Sequence, residues 1–189
     1  MNKMRNILTI LASKWYLLVA WLLFSVAIWS VIFTAVYEPR KEEKISIFVG
    51  TYYCDPIGMG NQLSHSLPHG IKKVSVQWFS NDDMLFGLYF ATYGTLYSDI
   101  IILQESMITD EMCKTYFQAL PNEYVDYRST YAVDDAVYGI KISSTCPYIQ
   151  ASNGESLYLF FNKKSEHIYS INRKGTDGAI ELAEIVLGL

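Results

Sequence analysis

Twenty-three consecutive positions, Trp15–Tyr37, carry no charge, no proline and no glycine. At about 1.5 Å per residue such a run makes a helix roughly 35 Å long, enough to cross a hydrocarbon core with some tilt. Trp15 and Tyr16 stand at one end and Tyr37 at the other, where amphipathic rings suit the membrane interface. The run is too long and too uniformly apolar for a buried core helix, and longer than a usual signal-peptide apolar region. Ala35 suits a cleavage site, but small residues at both required positions are missing. The pattern predicts an uncleaved single-pass anchor.

After the charged linker 38–43 the pattern changes to short apolar runs separated by turn residues. Ile45-Ser46-Ile47-Phe48-Val49 reads as a strand ended by Gly50. Val74-Ser75-Val76-Gln77-Trp78-Phe79 alternates partially and ends at Ser80-Asn81-Asp82-Asp83. Ile100-Ile101-Ile102-Leu103, introduced by Asp99, is nearly continuous, as expected of a strand covered on both faces. Residues 84–97 between the second and third runs predict a helix, with Asn81, Asp82 or Asp83 able to cap it. A shorter helix is expected over 62–67, ended by Pro68 and Gly70. Further on, 110–120 predicts a helix stopped by Pro121-Asn122, and 137–142 and 157–161 predict strands that pair as a hairpin. Residues 176–187 carry an apolar helical stripe with Thr176 or Asp177 as cap. Strands joined by helical crossovers imply an α/β fold: one three-layer lobe with a mostly parallel sheet of about five strands. The expected organisation is an N-terminal segment 1–14, the anchor 15–37, a linker 38–43 and an α/β domain 44–189.

Charge divides the 189 residues at the same place. None of the 19 acidic residues precedes Glu38, so the first 37 residues carry a formal +3 and the remaining 152 a formal −7. The net −4 and mean hydropathy of +0.13 therefore average two different objects. Collagen-like, disordered and strongly basic nucleic-acid-binding chains are excluded, and no nucleic-acid partner is expected. Lys3, Arg5 and Lys14 before the anchor are balanced by Arg40, Lys41 and Lys44 after it, so the basic flanks tie on orientation. A short segment ahead of a first span most often stays cytoplasmic, which places the acidic domain outside the cell membrane. Cys54, Cys113 and Cys146 show no CxxC spacing, and an odd count permits three free thiols or one bridge plus one thiol.

Local groups with catalytic residue types are sparse. Cys54, Asp55, His65 and His69 include metal-ligand types, but Pro68 separates the histidines and a further ligand is needed. Ser64-His65-Ser66 lacks an elbow motif. Gly58-x-Gly60 has Leu63 where a dinucleotide fingerprint needs a third glycine. Helix capping accounts for Asp82-Asp83. No catalytic residue, metal or cofactor is therefore expected. The 15 tyrosines are more informative. Tyr89, Tyr93 and Tyr97 recur at i,i+4 spacing, as packing residues do. Tyr52 and Tyr53 follow the first strand, where ligands usually sit against parallel sheets.

The order of motifs resembles the first lobe of type 2 extracellular solute-binding proteins of bacterial ABC transporters. The matching pieces are Lys44-Ile-Ser-Ile-Phe-Val-Gly50, Lys73-Val-Ser-Val-Gln-Trp78 and Tyr97-Ser-Asp-Ile-Ile-Ile-Leu-Gln-Glu105, with Tyr138-Gly-Ile-Lys-Ile142 and Leu157-Tyr-Leu-Phe-Phe-Asn-Lys163 at the crossing toward a second lobe. Members commonly close two lobes over their solute. Only 26 residues follow Lys163, so one lobe is expected, and a transmembrane run replaces the lipidated cysteine of many members. The resemblance implies a non-enzymatic binder of a small polar solute such as a sugar, or an accessory to a membrane transporter protein, while the apolar run 15–37 anchors it in the lipid bilayer. The expected rim is Thr51, Tyr52, Tyr53, Asn81, Asp82 and Glu105, with polar groups for hydroxyls and aromatic faces for apolar patches. The alternative is a non-enzymatic interaction module docking on another membrane protein.

Overall fold

The computed structural model describes residues 14–121, 129–142, 146–172 and 175–187; Lys3, Arg5 and Asn122 lie outside them. The chain divides into Met1–Glu38 and Pro39–Leu189. In the first unit α1 is one unbroken helix, Trp15–Tyr37, long and apolar enough to cross a membrane. Large apolar side chains are exposed along it, Trp21 and Trp29 at 73% and 69%.

The second unit is organised by three apolar strands whose side chains are buried on both faces. These are β1 (Lys44–Thr51), β4 (Ile100–Gln104) and β8 (Leu157–Phe161). With β3 (Lys73–Ser80), β5 (Thr130–Val133) and β6 (Ala136–Lys141) they form a six-stranded sheet in the order β3-β1-β4-β8-β6-β5. β1 pairs parallel with β3 and β4, while β8 runs antiparallel to both β4 and β6. Four of the six strands thus point the same way. The two-residue strands β2 (Tyr53–Cys54) and β7 (Ile149–Gln150) form a separate antiparallel ribbon.

Strand periodicity sorts the side chains into two cores, giving three layers. Ile45, Ile47 and Val49 join Ile100, Ile102, Leu159 and Phe161 on one face. There they meet Met59 and Leu63 of α2 (Pro56–Ser64) and Ala179, Leu182, Ala183 and Val186 of α6 (Gly178–Leu187). Phe48, Ile101, Leu103 and Phe160 face the other way, against Phe90, Cys113 and Phe117. Phe90 belongs to α3, built from Phe86–Tyr89, a π-helical segment Phe90–Gly94 and Thr95–Tyr97; Cys113 belongs to α4 (Asp110–Tyr116). A short α5 covers Tyr169–Asn172.

Three expected elements are corrected. The helix placed over 62–67 begins at Pro56: Asp55 Oδ1 accepts from Gly58 N at 2.9 Å, and proline suits a first turn that needs no N–H there. The helix expected to reach 120 ends at Tyr116, because Phe117 and Leu120 leave it to bridge Asn162 and Val137. Gly178 rather than Thr176 opens α6. Asp177, one of the two expected caps, directly precedes it and its carbonyl accepts from Ile180 N and Glu181 N at 2.9 and 3.1 Å, while the Thr176 hydroxyl bonds to His167 Nδ1 at 2.9 Å. The three cysteines are free thiols. Burial, ahead of the nearby Asp55 and Cys146, pushes the Cys54 thiol up to about 12.

Candidate functional site

Parallel pairing brings the expected rim to one edge of the sheet. Thr51 is level with Ser80, and Gly50 with Leu103, so β1, β3 and β4 end in one row. Thr51 itself is fully buried. Its hydroxyl donates to Tyr53 O at 3.1 Å, and its carbonyl accepts from Trp78 Nε1 at 3.2 Å and Asn81 N at 3.3 Å. Thr51 is therefore a knot that holds the rim rather than a group presented to solvent. Tyr52 and Tyr53 are exposed, at 53% and 46%, and the Tyr53 ring meets Trp78 edge-on at 6.2 Å. Between these and the following turn lies Asn81, half-buried, whose Oδ1 is shielded from solvent and has no hydrogen-bond partner. Asp82 is exposed, and its backbone N–H donates to Ser80 Oγ at 3.4 Å. Asp83, the neighbouring carboxylate, accepts from Leu85 N at 2.8 Å and so fixes the turn into α3. Glu105 is exposed just past β4, with its N–H on Ser156 O at 3.0 Å.

Gln104 is a rim residue that strand patterning passes over. It is 1% exposed; its Nε2 donates to Ser106 Oγ at 3.0 Å and Ser152 Oγ at 2.8 Å, and its Oε1 accepts from Ser152 N at 3.1 Å. This clamps the 152–156 segment beside Glu105. Its signal was a polar residue ending an apolar run, since a buried amide must be paired.

A second polar cluster lies at the opposite edge, where β1 and β4 begin. Asp99 accepts from Ser46 N at 2.9 Å and Ser165 Oγ at 2.7 Å, tying both strands to the segment after β8. His167, 3% exposed, stands between Thr176 Oγ1 at 2.9 Å and Lys41 O at 3.4 Å. Asn162 Nδ2 reaches the carbonyls of Gly94, Thr95 and Ser98 at 2.8–3.1 Å, satisfying the end of α3. Burial raises the Asp99 pKa, opposed by the Ser46 N–H and the Ser165 hydroxyl and then by the charges of His167 and Lys41. Replacing Asp99 by Ala removes the acceptor shared by the Ser46 N–H and the Ser165 hydroxyl and should cost about 2–3 kcal/mol. Asp99→Asn retains an acceptor for Ser46 N and replaces the acceptor for Ser165 Oγ by an amide N–H that the hydroxyl oxygen can accept, so it should cost clearly less. A folded pKa above the unfolded one makes the Asp99 contribution largest below the unfolded value and lost as pH rises through the folded value. Urea titrations across that window check both points, since the asparagine variant removes this slope.

The other candidate groups do not assemble. Ser64 Oγ donates to Gly60 O at 2.6 Å, His65 and His69 are exposed, and Asp55 serves as the α2 cap. Among the described residues no three His, Cys, Asp or Glu side chains are grouped to share a metal ion. Tyr89 and Tyr93 stack on Phe79 at 4.6 and 5.4 Å, while Tyr97 is 66% exposed.

No family model matches the chain, and no curated protein matches it. Among solved structures it is similar to the N-glycan transport solute binding protein NgtS from Streptococcus pneumoniae, at 12% identity and a TM-score of 0.36. It is similar also to the same protein in complex with Man1GlcNAc, at 12% identity and a TM-score of 0.32. Each match covers 53% of this chain and 25% of that one, so the chain spans about a quarter of the length of the protein it matches.

Proposed function

We propose that the chain is a membrane-anchored, extracytoplasmic α/β lobe that binds a small hydroxyl-rich solute weakly at the carboxyl edge of β1, β3 and β4. It works beside a transporter and performs no covalent chemistry. The observation that carries this reading is Asn81: its Oδ1 is withheld from water and unpaired, an arrangement that costs free energy unless a donor arrives. Tyr52 and Tyr53 supply exposed aromatic faces beside it, and Asp82 and Glu105 supply acceptors for further hydroxyls. A one-sided site of this kind is expected to bind with Kd on the order of 1 mM, about −4 kcal/mol. The length and apolarity of α1 support the anchored part.

Amide NMR titration of the full chain in nanodiscs with sugars, amino acids and oligopeptides tests the site. Sugars should shift the amides of Tyr52, Tyr53, Asn81 and Glu105. Asn81→Leu should abolish those shifts while leaving stability equal or higher, because the unpaired carbonyl is gone. Unshifted rim amides with every solute class would sink the reading. Retention in membranes after alkaline carbonate washing tests the anchor separately.

A second reading, docking on another membrane protein, is favoured by Met84, Leu85 and Leu88, which are 98%, 49% and 61% exposed. Met84→Gln/Leu88→Gln should then abolish copurification with a transporter while leaving solute-induced shifts intact.

A further inference from the structure

Across the sheet from the rim, a recess of about 360 Å³ opens at the amino ends of β1 and β4. That is at the lower end of the roughly 300–1,000 Å³ that hold small ligands. Lys44 and Lys164 line it, with Gln77 and the rings of Tyr93 and Tyr97. Three observations bear on what would fill it. First, its carboxylates are spent internally: Asp99 is engaged by Ser46 and Ser165, and Glu166 pairs with Lys41 at 3.1 Å. Second, Lys44 and Lys164 both line the recess, and neither is in an ion pair with a carboxylate among the described residues. Third, the Oε1 of Gln77 is buried there without a hydrogen-bond partner. The lysines call for an anion, and the amide carbonyl calls for a donor such as a hydroxyl. A phosphate ester of a polyol offers both at adjacent atoms, and it serves the Gln77 amide in either of its two orientations.

We propose that this recess binds the headgroup of a phosphatidylglycerol-type lipid, with the phosphate on Lys44 and Lys164 and a glycerol hydroxyl donating to Gln77. The inference rests on the anchored reading in one respect. Lys44 is seven residues beyond the last position of α1, so a membrane-spanning α1 keeps this end of the domain within reach of the bilayer surface. A lysine near an anionic surface contributes about five-fold to binding, so the pair is expected to contribute roughly 30-fold.

The test uses the full chain reconstituted in vesicles of phosphatidylcholine, of phosphatidylcholine with phosphatidylglycerol, and of phosphatidylcholine with phosphatidylserine. Hydrogen exchange is read at residues 93–98 and 163–168. Phosphatidylglycerol should slow exchange there relative to both other compositions. Lys44→Gln/Lys164→Gln should raise the phosphatidylglycerol content needed for that protection about 30-fold or abolish it. Gln77→Leu should remove only the preference over phosphatidylserine, at unchanged stability. Equal exchange in all three vesicles overturns the proposal. Protection that appears only when soluble glycerol 1-phosphate is added to phosphatidylcholine vesicles overturns the lipid assignment. Carbonate-resistant retention in phosphatidylcholine vesicles is measured in the same samples, so a chain that washes off reports failure of the anchor rather than of the recess.

Discussion

Replacing Gly175 with Ala should lower stability by on the order of 3 kcal/mol or more, enough to cut the melting temperature by roughly 10 °C in a domain of this size. Gly175 has φ +70°, a region side chains rarely adopt, and a Cβ added there would clash with the backbone carbonyl oxygen of Glu166. That oxygen accepts from Thr176 N at 2.8 Å, and the same segment donates Tyr169 N to Thr176 O at 2.9 Å and Ala179 N to His167 O at 2.9 Å. Moving the carbonyl therefore opens the knot that positions Ser165 against Asp99 and holds α6 to its core. Gly154 is the control: its φ is +69°, but nothing lies within 4 Å of an added Cβ, so Gly154→Ala should cost only the backbone preference, about 1–2 kcal/mol. Thermal unfolding by circular dichroism separates the two. Equal losses would mean that the Glu166 carbonyl is not where the clash requires it.

Phe48→Ala should cost about 3–5 kcal/mol. Phe48 has no exposed surface, and its ring meets Phe79 at 5.3 Å, Phe90 at 5.8 Å and Phe86 at 6.0 Å. It thus joins a β1 side chain to β3 and to both the α-helical and π-helical parts of α3. Truncation removes the ring from a site whose neighbours are held by other rings and by strand pairing, so collapse into the space is limited and a cavity remains. Phe48→Leu keeps most of the volume and should cost under half as much. Leu88→Ala, on the exposed side of α3, should change stability by less than about 0.5 kcal/mol. Urea denaturation with a common slope checks the series, and a loss for Leu88→Ala matching that of Phe48→Ala would contradict this assignment of faces.

These residues show why some of the fold was readable in the sequence and some was not. β1, β3, β4, β6 and β8 announce themselves because burial on one or both faces demands local apolar runs, and alternation in β1 already separates the two cores. β2, β7 and β5 were missed: two are only two residues long, and β5 is a four-residue edge strand with one buried side chain. The start of α2 is legible in Asp55-Pro56, a cap followed by a first-turn proline, but Gly58 and Gly60 weaken the helical pattern there and push the expected start to residue 62. At the rim, six positions were expected from strand ends alone, and parallel register brings them to one edge. Register does not say which way a side chain is spent, so the internal role of Thr51 was invisible. The Asp99–Ser165, Asn162–Ser98 and Gln104–Ser152 bonds join residues 66, 64 and 48 positions apart, and no local pattern encodes such partners.

The position of β8 between β4 and β6 has a consequence in time. Every side chain of β4 is buried, yet the strand that completes one of its edges begins about 50 residues later in the chain. At the roughly 5–20 residues per second of synthesis, that edge stands open for on the order of several seconds as the chain emerges. An apolar strand with unpaired N–H and C=O groups is a template for adding another strand. The interval before Leu157–Phe161 arrives is therefore when this lobe is most exposed to aggregation and most dependent on chaperones, and mutations that slow the arrival of β8 should lower yield before they lower the stability of the finished fold.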